Sequence, residues 1–185
     1  QTYENAIAQY RTDRDPKNPL FLFKSGTLVN FAMDLNEVHM TTKLDGQATF
    51  FLPFNMGNGN GVTAGAGNPV FEDKYSVSYM WEDILTKDTL IDLISRYIFI
   101  ETKEKVDELT GKKSKTETII FPRYHQLDCL RKCLADVKEN KSSFNYLIQH
   151  SAGSGKTNTI AWLAHRLSSL HDADDKQIFS NVVVV

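Results

Sequence analysis

Apolar residues spaced three and four apart mark two helices in the second half of the chain. From Arg123 to Glu139, Leu127, Leu130, Leu134 and Val137 recur at i, i+3, i+7 and i+10, one stripe of an amphipathic helix. After Lys156-Thr157, Ile160, Leu163, Ala164, Leu167 and Leu170 share a face of the second. Nearer the start, "TYENAIAQYR" has a polar, alanine-containing helical texture that "DRDPKNP", with Pro16 and Pro19, brings to an end. "LFLFKSGTLVNFAMDLNEVHMTTKL" predicts two or three short strands in an antiparallel meander, turning at Ser25-Gly26 and Leu35-Asn36. Leu85, Leu90, Ile91, Leu93 and Ile94 predict two short helices broken near Thr86-Lys87, followed by a strand over 97–100. The mixed-charge stretch "KVDELTGKKSKTET" reads as a loop and "TIIF" as the returning strand of a hairpin. "NYLI" and "NVVVV" read as buried parallel strands bracketing the last helix, the opening of a βαβ unit.

Composition narrows the class. With 41% hydrophobic residues in 185, the chain can build a core, so wholesale disorder is not expected. A net charge of -2 gives no bulk attraction to nucleic acid and leaves a local basic patch open. Without an apolar run of membrane-spanning length or a signal-peptide pattern, the expectation is a cytoplasmic protein with no membrane partner. The start at Gln1 and the end on four valines suggest an excised piece of a longer protein. Cys129 and Cys133 sit in the helical pattern as reduced thiols. With His125 they form an i, i+4, i+8 ladder, but the outer two stand roughly 12 Å apart along a helix axis, too far for one zinc ion.

Three stretches carry candidate chemistry. Gly59, Gly61 and Ala64 fit a dinucleotide fingerprint, but more glycines and Asn68-Pro69 follow where a helix is required, so residues 57–67 are read as a mobile loop. Glu101-Thr102-Lys103 fits half of a metal-dependent nuclease site, but no aspartate precedes it on a strand, and solvated hairpin charge is the preferred reading. The specific signal is "HSAGSGKT", set between an expected strand and helix as a Walker A loop must be. Gly153 and Gly155 let the backbone approach phosphate, and Ser154 lies between them in the cradle. Lys156 reaches the terminal phosphates of ATP and Thr157 ligates Mg²⁺ through the nucleotide. His150 occupies the place of the first glycine in the strict pattern, a departure tolerated in helicase-type loops.

"FPRYHQLDCLRKCL" before "HSAGSGKT" resembles the start of a superfamily-two motor domain. The order "TIIFPRYHQLD", "YLIQHSAGSGKTNTIAWLAHRL" and "VVVV", with "FFLPFNMGNGNG" upstream, resembles the restriction (R) subunit of type I restriction-modification enzymes. The resemblance implies that Gln126 reads the adenine edge with Arg123 beside it, and that Gln9 stands where a nuclease-supporting glutamine would, although Asp13 replaces the tyrosine four residues on. It implies double-stranded DNA and the methyltransferase and specificity subunits as partners. It divides the chain into the last nuclease helix (1–19), a connecting region (20–120) and the first part of a RecA-like motor domain (121–185). The fold class expected is α/β, a mixed α+β connecting region followed by the truncated start of a P-loop parallel sheet. With no catalytic carboxylate for water or DNA, the isolated chain is expected to be inactive. Two other readings remain open: another superfamily-two motor, or a docking module without catalysis over residues 20–120.

Overall fold

The computed structural model describes residues 1–59, 66–106, 111, 113–140 and 145–185, which form two compact units, Gln1–Pro122 and Arg123–Val185. The fold is mixed α/β with small sheets.

In the first unit, helix α1 spans Tyr3–Thr12. Its start is closed by the Asn5 side chain, which accepts from the Thr2 amide at 2.9 Å. Strands β1 (Asn30–Met33), β2 (Val38–Thr41) and β3 (Leu52–Pro53) form an antiparallel meander in that order, with Phe31 opposite Met40 and Met40 opposite Leu52. The β1–β2 turn is built on Asp34. Its carboxylate accepts from the amides of Asn36 (2.8 Å) and Glu37 (2.9 Å), and its second oxygen accepts from the Tyr3 amide at 3.1 Å. One aspartate thus closes the hairpin and ties α1 to it. The Arg11 guanidinium adds a second tie, donating twice to the Thr49 carbonyl.

Of the stretch read as two or three strands, β1 and β2 form, and its opening "LFLF" is a series of turns. Asn18 accepts from the Leu20 amide through its side chain and from the Phe21 amide through its carbonyl, a local alternative to sheet pairing that Pro19 reinforces. The core of the unit rests on aromatic packing: Phe31, Phe54 and Phe121 meet pairwise with centroids 5.4 to 6.0 Å apart. The buried Asn68 binds the Met56 amide, the Asn36 carbonyl and the Asn55 side chain, closing the base of the glycine-rich stretch. Gly61 and Ala64 of the fingerprint lie outside the described residues, as does most of the loop read as mobile.

The two short helices are present as one π-helical turn, Met80–Ile84, and α2, Lys87–Arg96. Of the expected apolar residues only Leu93 is fully buried and Leu90 is half-buried, while Leu85, Ile91 and Ile94 are exposed; Ile84, outside that set, is buried. Strands β4 (Phe99–Val106) and β5 (Lys113–Ile120) pair antiparallel over eight positions. The ladder therefore runs well into the segment read as a loop, because Thr116 and Thr118 favour strand and Glu104 pairs across it with Lys115 at 2.9 Å. Tyr97, expected to begin the strand, caps α2.

The second unit holds α3 (Tyr124–Asn140) and α4 (Lys156–Ser168). Leu134, Val137 and Leu170 are its buried apolar centre, with Leu163, Leu167, Ile178 and Phe179 packed around them. The expected stripe of α3 is buried throughout: Leu127, Leu130, Leu134 and Val137 are each at most 6% exposed. The segments "NYLI" and "NVVVV" enter no strand ladder, and Leu147 is 92% exposed. A parallel strand is satisfied only by neighbours on its flanks, and no third extended segment stands beside either one among the described residues of this unit.

Candidate nucleotide-binding site

The loop from His150 to Thr157 enters α4 through two glycines in the left-handed region, Gly153 at φ +74° and Gly155 at φ +84°. Side chains resist that conformation. At Gly155 a Cβ would also stand 2.7 Å from Gln126 Nε2, so that side chain would have to give way. Gly155 caps α4, whose first turn carries no acidic residue. The leading amides of the helix have no acceptor within it, and its dipole places positive potential at the loop.

Lys156 is exposed, and its ammonium donates to the carbonyls of His150 (3.2 Å) and Ser151 (2.9 Å). Thr157 is exposed on the first turn of α4. Ser154 is buried, and its hydroxyl has no hydrogen-bond partner among the described residues. A helix start without a side-chain cap, two left-handed glycines, an exposed lysine and an unpaired buried hydroxyl suit an anion. The adjoining cleft, lined by Ile148, His150, Lys156, Thr159, Ile160 and Leu163, measures about 150 Å³. That is below the roughly 300 Å³ floor of small-molecule pockets, so it accommodates part of a nucleotide only.

The start of α3 lies against the loop. Gln126 is 3% exposed, and its amide is used at both ends: Oε1 accepts from the Arg123 amide at 2.9 Å and Nε2 donates to the Gly155 carbonyl at 2.8 Å. The structure thus brings Gln126 to the loop of residues 150–157, engaged by the loop's own backbone, and Arg123 meets Gln126 through its amide. His125, weighed in the sequence only as a metal ligand, also reaches the loop, its Nε2 lying 3.1 Å from the Ser154 carbonyl. The partner is an acceptor, so Nε2 carries the proton. The ring of His125 meets that of His150 edge to face, with centroids 4.8 Å apart. Burial pushes the His125 pKa down; the neighbouring His150 and Arg123 push the same way, against the Ser154 hydrogen bond. No sequence signal marks this contact, since 29 residues separate its partners.

The remaining candidates lie elsewhere. Burial pushes the Cys129 thiol up to about 11 and raises Cys133 as well, so neither is poised as a thiolate ligand. The described residues hold no metal-competent cluster. Lys103 pairs with Glu101 on the hairpin surface at 2.9 Å, an ordinary exposed ion pair. Gln9 is exposed on α1, lining a cleft with Tyr10, Arg14 and Asn30. Among the described residues no helix is long and apolar enough to cross a membrane.

Comparison with known proteins follows the same loop. Residues 119–185 match one family. It is described as type III restriction enzyme, res subunit, and the match covers a little over a third of the chain, including α3, the phosphate loop and α4. No curated protein and no solved structure matches the chain. The match supports a restriction and helicase family with ATP-dependent hydrolysis as its general activity. Helicase-like domains of this family generally use ATP and Mg²⁺.

Proposed function

We propose that the chain belongs to the R subunit of a type I restriction enzyme, which uses ATP to translocate double-stranded DNA and cleaves it, and that residues 150–157 are its phosphate-binding loop. The observation that carries the reading is the start of α4, where two left-handed glycines and an uncapped helix N-terminus stand beside Lys156 within the matched segment.

In this reading the amides of Gly153, Ser154, Gly155 and Lys156 receive the phosphates. Lys156 leaves the carbonyls of His150 and Ser151 to face the terminal phosphates. Thr157 would hold Mg²⁺ together with the nucleotide, and the ion would supply positive charge to the phosphate oxygens. Gln126 and Arg123 take the adenine edge once the Gln126 amide releases the Gly155 carbonyl. Gln9 supports a nuclease centre that includes none of the residues assigned here, so the isolated chain neither cleaves DNA nor turns over ATP. The domain roles follow: residues 1–19 close the nuclease, 20–120 connect, and 121–185 open the motor. The partners are double-stranded DNA and the methyltransferase and specificity subunits, in the cytoplasm.

The family match favours a second reading, the corresponding subunit of a type III enzyme. Co-purification of a complete subunit with a separate specificity subunit supports the first reading, and its failure to assemble with one opposes it. Both readings require that Lys156→Ala in the complete subunit abolish ATP-driven translocation while the protein stays folded. Wild-type ATPase in that variant would remove the loop from the mechanism.

A further inference from the structure

Two successive peptide units of the phosphate loop are pinned by two successive side chains of α3. His125 donates to the Ser154 carbonyl and Gln126 to the Gly155 carbonyl. No peptide bond in the described chain is cis. In a planar trans peptide the C=O and the following N–H point in opposite directions. Holding the Ser154 oxygen toward α3 therefore turns the Gly155 N–H away from it, and holding the Gly155 oxygen turns the Lys156 N–H the same way. These two amides open the cradle. The 154–155 unit turns about Ser154 ψ and Gly155 φ, and Gly155, at φ +84°, has no side chain to resist a flip.

We infer that His125 is a positioning residue of the nucleotide site, which sets the direction of the Gly155 N–H through its hydrogen bond to the Ser154 carbonyl. The inference rests on the phosphate-loop reading. His125 touches no ligand; it acts on the loop from behind. Its edge-to-face contact with His150 fixes the ring from the loop's other end, so the imidazole spans both ends of the cradle. Gln126 holds the neighbouring unit and not this one: its Oε1 accepts from the Arg123 amide and its Nε2 donates to the Gly155 carbonyl. The hydroxyl of Ser154 offers no alternative anchor, being buried without a partner.

Two variants separate positioning from packing. His125→Phe keeps a ring against His150 and loses the donor; His125→Gln loses the ring and can offer an amide N–H at the same reach. The full chain, in wild-type and both variant forms, is titrated with magnesium ADP, following the backbone amide signals of Gly153 to Thr157 by NMR, with a thermal melt as a check on folding. His125→Phe should displace the Gly155 amide signal before any ligand is added. It should weaken magnesium ADP about tenfold, the value of one lost hydrogen bond, while His125→Gln stays within about threefold of wild type. Wild-type affinity in His125→Phe, or equal losses in both variants, overturns the positioning role and leaves the phosphate loop standing. No response of these amides in the wild type overturns the phosphate-loop reading and this inference with it.

Discussion

His125 is half-buried beside His150 and Arg123, so protonation works against the folded second unit, although its hydrogen bond to the Ser154 carbonyl favours the charged ring. Its pKa lies below the ordinary 6.5, chiefly through burial. The unfolded chain therefore takes up a proton at a higher pH than the folded chain does. Stability is full above the unfolded value, falls as pH drops from about 6.5 toward the lower folded value, and levels off beneath it. Urea melts of wild type and His125→Phe across that window measure the effect. Wild type should lose more stability on acidification than the variant, and parallel losses would show that His125 is not the group concerned. The site was only partly legible at this scale. Gly153, Gly155, Lys156 and Thr157, the residues proposed to meet phosphate, stand out by spacing, because a phosphate-binding loop is a local sequence pattern. His125 does not, because its role depends on α3 meeting a loop 29 residues later.

At the scale of elements, period and structure agree along α3, whereas on α4 the expected Ile160 is exposed and the buried residues are Thr159 and Trp162, which stand outside the expected stripe. Leu127, Leu130, Leu134 and Val137 read as a stripe in the sequence and are buried in α3. Leu134 lies in the centre that also contains Val137 and Leu170. Leu134→Ala should destabilise the second unit by about 2–4 kcal/mol, measured by chemical denaturation, and a loss below about 1 kcal/mol would place the centre elsewhere. Periodicity failed where local bonding prevailed. "LFLF" looks like a strand, but Asn18 and Pro19 divert it into turns. β4 and β5 outlast their apolar residues because Thr116, Thr118 and a cross-strand ion pair extend the ladder. On α2, Ile91 and Ile94 point to solvent while Leu93 is buried, which the run of apolar letters could not separate.

For the whole molecule, the sequence anticipated mixed α/β structure and an amphipathic helix ahead of the glycine-containing loop, and both are present. The opening of a parallel sheet was expected from "NYLI" and "NVVVV", whose valines and isoleucine suit strands, but ladder formation requires flanking partners that those letters do not supply. The account depends most on residues 150–157 receiving nucleotide phosphate. Calorimetric titration of the chain with magnesium ATP, for wild type and Lys156→Ala, tests this directly. The account predicts saturable binding to wild type that Lys156→Ala weakens about tenfold or more, since the variant removes a charge-assisted contact to phosphate. Equal affinity in the two proteins, or no binding to wild type at any ligand concentration reached, would contradict it.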